Sequence, residues 1–169
     1  MHTPLRVSSG PAGRADAPSF GILSTFPPTS CGIATFSAAL AAGLIGQGAS
    51  VDVVRCGSTP EVEDVLVVGS LADSDDAGHR RAIDALNRND LVIVQHEYGL
   101  YDGADGESII DLVDSIGAPV VVVAHTVLTE PTANQRRILE QVCRSADAVV
   151  VMTRTAHTRL LAGYDIDGS

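Results

Sequence analysis

Short apolar runs alternate along the chain with longer segments of helical periodicity, and this alternation most constrains the fold. Six apolar runs, five of them rich in Val, are predicted to be strands: residues 20–25, 50–55, 65–68, 91–95, 119–124 and 148–152. Five segments are predicted to be helices: residues 33–44, 78–87, 109–113, 131–144 and 155–162. Because strands that are apolar on both faces need cover on both sides, the sequence predicts a Rossmann-like, doubly wound, mainly parallel α/β sheet with helices on both faces.

The fourth predicted strand, residues 91–95, stops abruptly at the polar pair His96 and Glu97. In an open α/β sheet, ligands bind at the carboxyl ends of the strands. The common doubly wound order makes the first and fourth strands neighbours. That order places His96 and Glu97 opposite the loop at residues 26–33, with His125 at the end of the next strand.

The loop at residues 26–33 precedes the first helix and is predicted to face a ligand. Thr29 or Ser30 can cap the helix, and Gly32 lets backbone N–H groups approach phosphate oxygens closely. The alternative is that Gly32 only permits tight packing between helix and strand. A dinucleotide site is disfavoured because GxGxxG is absent and the second strand ends in Arg55, where NAD sites usually have an acid.

Two histidines, His96 and His125, occupy matching positions at the ends of strands predicted to be adjacent. Each can bond to neighbouring backbone, but the matched pair favours ligand contact by at least one imidazole. Neutral imidazole suits hydroxyl recognition and proton transfer near neutral pH. His79 and His157 fall within polar helical surfaces and are predicted to be solvated.

Three further roles at this edge are weighed from the residues alone. Glu97 can orient a hydroxyl group of a ligand or cap the following turn. Cys31, near a helix N-terminus, can have a lowered pKa, although packing is the preferred interpretation. A metal site built from His96, Glu97 and His125 has no support from ligand spacing, so no metal is expected.

Charge excludes several classes of function. The net charge is −10 and the isoelectric point is near 4.7, so neither nucleic acid nor an anionic membrane surface is expected as a partner. All eleven basic residues are Arg. Without Lys, Schiff-base chemistry and a Walker A loop are unavailable to this chain.

The cysteines and the ends of the chain indicate a compartment. Three cysteines without CxxC spacing predict a reducing environment, and we expect a cytoplasmic protein: Cys31, Cys56 and Cys143. Residues 1–19 are predicted to be a flexible tail and residues 20–169 the folded domain. No run has the length of a membrane span, so any membrane association is expected to be peripheral.

Four segments together resemble the amino-terminal half of GT-B glycosyltransferases, with the closest likeness to bacterial family 4 retaining enzymes. They are STFPPTSCGIATF at residues 24–36, QHEYG at 95–99, HTVL at 125–128 and ADAVVVMT at 146–153. The likeness extends over residues 20–167. It implies a half that mainly binds the acceptor, while a carboxyl-terminal half, absent from this chain, holds most of a nucleotide-sugar donor.

The resemblance also implies roles for particular residues. His96 and His125 match strand-end histidines of the cleft and are assigned to catalysis or hydroxyl contact, without a ranking between them. Three residues of the first loop are assigned to the donor diphosphate: Cys31, Gly32 and Ile33. Four residues are assigned to the acceptor side: Thr29, Glu97, Tyr98 and Gly99. No cofactor is implied.

The resemblance therefore predicts a hexosyltransferase that moves a sugar from a nucleotide-diphosphate sugar to an acceptor hydroxyl with retention. This acidic, Lys-free half is expected to be inactive alone, because a diphosphate leaving group needs positive charge. The alternative is a standalone α/β module that binds a small polar ligand or nucleotide. A Rossmann-type oxidoreductase is the third hypothesis, and Arg55 with the missing fingerprint disfavours it.

Overall fold

The computed structural model describes residues 17–57, 64–71 and 76–166. Residues 1–16 of the predicted tail lie outside the described residues. Six strands are present in the described parts: β1 (Ser19–Ser24), β2 (Ser50–Arg55), β3 (Val67–Ser70), β4 (Leu91–His96), β5 (Val120–Ala124) and β6 (Ala148–Val151). All six match predicted strands.

The predicted helices are also confirmed. The described residues contain α1 (Gly32–Gly46), α2 (Asp76–Leu86), α3 (Ile109–Ser115), α4 (Ala133–Ser145) and α5 (Arg154–Gly163). A short 3₁₀ turn, Ala104–Gly106, precedes α3. Within these parts of the chain, no helix combines the length and the apolar character needed to cross a membrane.

The third strand begins two residues later than predicted, because Asp64 holds the preceding backbone in a turn. Its carboxylate accepts a hydrogen bond from the Leu66 amide at 2.9 Å, and its carbonyl accepts one from the Val67 amide at 2.9 Å. Val65 is left 96% exposed. Only the second half of the predicted run, residues 67–68, therefore belongs to β3.

The sheet is parallel throughout, with the strand order β3-β2-β1-β4-β5-β6. The prediction that the first and fourth strands are neighbours is confirmed, since Leu23 of β1 pairs with Val94 of β4. The chain changes direction across the sheet between these two strands. Their carboxyl ends therefore form the crevice in which ligands bind in open α/β folds.

Helices cover both faces of the sheet, as predicted. On one face, α1 packs over a cluster that includes Ile22, Val53 and Ile93. On the other, α2, α3 and α4 pack over a larger cluster that includes Leu23 and Val94. Residues of α4 predicted to point inward are fully buried: Ile138, Leu139 and Val142. Successive strand residues thus alternate between two cores.

The N-terminus of α4 carries a complete capping box. The Thr132 hydroxyl accepts from the Gln135 amide at 3.1 Å, and the Gln135 side chain accepts from the Thr132 amide at 3.0 Å. We expect Thr132→Ala to lower the free energy of unfolding by about 1 kcal/mol, measured by urea denaturation. Thr158→Ala, an exposed position inside α5, is the control. Equal losses in the two variants would contradict the capping role.

Candidate active site

The loop between β1 and α1 is fixed to the sheet by a buried cation. Arg55, the last residue of β2, is 5% exposed, and its guanidinium donates to the Pro27 carbonyl at 2.6 Å. The Pro27–Pro28 peptide bond is cis, and the Thr29 amide closes a turn onto the Phe26 carbonyl at 3.1 Å. Arg55 thus holds the loop against the end of β2, and its charge is shielded from solvent.

The cap of α1 is Cys31, so the prediction of Thr29 or Ser30 was wrong. The Cys31 backbone is extended, and its Sγ accepts from the Ala34 amide at 3.3 Å. Burial alone would raise the pKa of the thiol, but hydrogen bonds from the Thr25 hydroxyl and from two backbone amides together lower it. The thiol is exposed instead of packed, contrary to the preferred interpretation from sequence.

Gly32, the first residue of α1, lies against open space. It is exposed, and a Cβ added there would have no neighbour within 4 Å. The alternative that this glycine permits tight packing between helix and strand is therefore wrong. A fifteen-residue helix therefore begins at an exposed residue, with the partial positive charge that helix N-termini carry.

His125 follows β5 and packs beside α1. Its ring meets the Phe36 ring edge to face, with centroids 5.2 Å apart, and Phe36 lies about one turn after Gly32 on α1. The His125 Nε2 lies 2.7 Å from the Gln95 Oε1. Burial lowers the pKa of the imidazole, opposed by the nearby Glu97 carboxylate. His125 is therefore neutral at pH 7 and partly exposed to solvent.

Gln95 is a site residue that sequence reasoning missed. It is fully buried in β4, on the face that carries Ile93 and α1, and its Nε2 has no hydrogen-bond partner in the structure. Its backbone carbonyl accepts from the buried Tyr101 hydroxyl at 2.7 Å. The sequence does contain a sign of this role, because Gln95 is a polar residue at the end of an apolar strand, next to the candidate His96.

His96 is the last residue of β4 and points into the protein. It was predicted to begin a polar loop, but it is 1% exposed and lies on the strand face of Val92 and Val94, opposite to Gln95. Its ring packs edge to face on Tyr98, at 5.2 Å. Burial lowers the pKa of His96 to about 4, and its Nδ1 has no partner. His96 is neutral and shielded.

Glu97 holds the turn after β4. Its Oε1 accepts from the Tyr98 amide at 3.0 Å, and its Oε2 accepts from the Thr126 hydroxyl at 2.6 Å. Of the two roles weighed for Glu97, the structure favours capping. The Tyr98 hydroxyl donates to the Gln135 carbonyl at 3.3 Å, and Gly99 adopts the left-handed backbone region with a φ of 77°.

The structure thus brings only some of the predicted residues together. His125 and the start of α1 share one side of the carboxyl edge through Phe36, whereas the His96 ring lies on the other side of the sheet, although its carbonyl accepts from the His125 amide at 3.0 Å. Among the described residues, no group of three or more His, Cys, Asp or Glu side chains can hold a metal ion.

The sheet order and the crevice at its carboxyl edge define a Rossmann-like, doubly wound α/β domain. Solved structures of an alpha-glucosyltransferase match it, among them complexes with UDP and a 13-mer DNA and a complex with UDP-glucose and DNA. Three have 19% sequence identity and TM-scores of 0.57, 0.55 and 0.58. At this identity the likeness shows the fold alone.

The match covers most of this chain but a minor part of those proteins. It spans 79%, 79% and 85% of this chain, and 36%, 35% and 38% of the respective glucosyltransferase chains. No protein-family model and no curated protein sequence matches the chain. The fold is therefore common to one part of a larger enzyme whose structures contain UDP or UDP-glucose.

Proposed function

We propose that this chain is the acceptor-side half of a retaining glycosyltransferase of the family 4, GT-B type. The half would act with a second, donor-binding domain to move a sugar from a nucleotide-diphosphate sugar to an acceptor hydroxyl. One observation carries the proposal: the open N-terminus of α1 lies beside His125 at the carboxyl edge, in a fold shared with a UDP-bound glucosyltransferase.

The donor diphosphate is assigned to the start of α1. Helix N-termini bind phosphate through free amides and the helix dipole, and nothing obstructs the approach to Gly32. We assign the contact to the amide of Gly32 and to that of Ile33, which also hydrogen-bonds to the Cys31 thiol. Cys31 shapes the turn instead, because its own amide donates to the Thr29 carbonyl at 3.1 Å.

His125 is assigned to hydroxyl contact or proton transfer, since it is the neutral, partly exposed imidazole next to α1. His96 supports this edge from within the core. Both carboxylate oxygens of Glu97 accept hydrogen bonds from the protein, so we assign it the role of holding Tyr98 and Gly99 in place beside the cleft.

The charge of the chain bears on both substrates. A net charge of −10 without Lys offers little stabilisation to a diphosphate leaving group, so we assign that task to the second domain. The same charge disfavours nucleic acid as the acceptor. The DNA in the glucosyltransferase structures is a ligand of those proteins, and we do not assign it to this chain.

The proposal is tested by amide NMR spectra of this chain during titration with UDP, with uridine as the control that lacks phosphates. UDP is expected to shift the amide signals of Gly32, Ile33 and Ala34, and uridine is expected to leave them in place. Equal responses to both compounds, or to neither, would overturn the proposal.

A variant separates phosphate binding from folding. Gly32→Val adds a Cβ that has no neighbour within 4 Å and places methyl groups before the first amides, so we expect it to weaken UDP binding about tenfold at unchanged thermal stability. The matched control is Gly43→Val in the same helix, where an added Cβ also has no neighbour within 4 Å. Weakening by both variants alike would count against a site at the helix start.

A further inference from the structure

A groove runs between α2 and α3 and opens at the carboxyl edge of the sheet. It consists of two adjoining cavities of about 380 and 420 Å³, which share His79, Ser108 and Leu112. The first cavity reaches the ends of β2 and β4 at Gly57 and Gly99. These volumes lie within the range of small-molecule sites in proteins.

The groove mouth is close to the start of α1. Cys56 lines the first cavity, and its amide donates to the Ser24 carbonyl at 2.9 Å. Thr25, the next residue, has its hydroxyl 3.3 Å from the Cys31 Sγ, which caps α1. These two bonds connect the wall of the first cavity to the loop that precedes α1, whose helix terminus is assigned to the diphosphate.

The floor of the groove is apolar and its rim is polar. Leu71 and Leu112 are 8% and 6% exposed and form the floor. His79 and Ser108 provide hydrogen-bonding groups at the junction of the two cavities. His79 was predicted to be solvated, but it is partly buried. A sugar matches this lining, because its C–H face can cover leucines while its hydroxyls reach polar groups.

The charge of the lining selects against anions. Among the described residues that line the two cavities, Arg80 is the one cation, and three are exposed carboxylates: Asp84, Asp102 and Asp111. Carboxylates accept hydrogen bonds from hydroxyl groups but repel phosphate and carboxylate ligands. The groove therefore suits an uncharged compound with several hydroxyl groups.

We propose that this groove is the acceptor site and that it binds a neutral polyhydroxylated compound of the sugar class. The groove itself supports sugar binding. That the bound sugar is the acceptor rests on the proposed transferase function. His79 is its central contact, since it borders both cavities.

The test is an amide NMR titration of the chain with methyl α-D-glucopyranoside, with glucose 6-phosphate as the charged comparison. The neutral glycoside is expected to shift the amides of Gly57, Leu100 and Ser108, and the phosphate ester is expected to bind more weakly at these positions. No shift with the glycoside, or stronger binding of the phosphate ester there, would overturn the proposal.

Variants assign the effect to the groove. His79→Ala is expected to weaken glycoside binding about tenfold, and Asp102→Asn, which keeps the shape of the side chain, several-fold. His157→Ala, an exposed histidine of α5 outside the groove, is the control and should bind like the parent. Unchanged binding in both groove variants would remove the assignment.

The outcome is separable from that of the UDP titration. Shifts at Ile33 with UDP but none in the groove with the glycoside would leave the transferase proposal and overturn this one. Groove shifts without a UDP response would keep the sugar site and remove its description as an acceptor site.

Discussion

Lowering the pH from 7 to 4 is expected to destabilise the folded chain by about 3 kcal/mol through His96 alone. The imidazole is 1% exposed, and burial lowers its pKa from 6.5 to about 4, with the Glu97 carboxylate opposing the shift. As the pH falls below 6.5, His96 becomes protonated in the unfolded chain, whereas in the folded chain it stays neutral until about pH 4. The stabilisation is therefore complete above pH 6.5 and is lost across this window.

The measurement is the free energy of unfolding in urea as a function of pH, for the parent and for His96→Gln. The variant is expected to lose much less stability between pH 7 and pH 4, whereas His157→Gln, an exposed control, should follow the parent. The NMR titration of the His96 ring in the parent is independent of any variant. A ring that titrates near pH 6.5 would contradict the buried, neutral state.

The sheet was predictable because its signal is repeated. The strands are short apolar runs, most of them rich in Val, and each helix has its own apolar period, so the neighbouring positions of β1 and β4 followed from the common strand order. Signals of this kind survive an error of one or two residues, as the late start of β3 illustrates.

The site was less predictable, because single residues decide it. β4 continues for one residue beyond the predicted end, and the alternation of a strand then turns His96 into the core and Gln95 toward α1. Capping preference favoured Thr29 and Ser30, but the backbone fixed by Arg55 and Pro27 puts Cys31 in the extended conformation of a cap. The pattern of one strand or helix does not contain such long-range contacts.

The groove was not predictable for a related reason. His79 belongs to α2 and Ser108 precedes α3, and each segment alone reads as a polar helical surface. Only the packing of both helices against the same sheet face makes them line one cavity. Pairings between helices that are distant in sequence depend on the assembled sheet.

Under the proposed transferase function, His125→Ala is expected to lower transfer from the nucleotide-diphosphate sugar by about 10²- to 10⁴-fold, the usual contribution of a general acid or base. The measurement uses the longest natural protein that contains this chain, because the proposal assigns most of the donor site to a second domain. His157→Ala is the control and should retain activity. A His125→Ala variant with parental rates would remove the imidazole from the reaction.

The state of the His125 ring depends on Gln95, and this dependence distinguishes proton transfer from a packing role. The Gln95 Oε1 can only accept, so in the bond of 2.7 Å the His125 Nε2 donates, and the Nδ1 of the neutral ring keeps a lone pair that can accept a hydrogen bond. Gln95→Leu removes that constraint and is expected to lower the rate about tenfold, with ring nitrogen chemical shifts that report a mixture of the Nε2–H and Nδ1–H forms. A second variant tests proton transfer directly.

Gln95→Glu keeps the oxygen that accepts from His125 and adds a negative charge, so it should raise the pKa of His125 and move the acidic limb of the pH–rate profile to higher pH. If His125 only packs against Phe36, Gln95→Glu leaves the acidic limb of the profile in place.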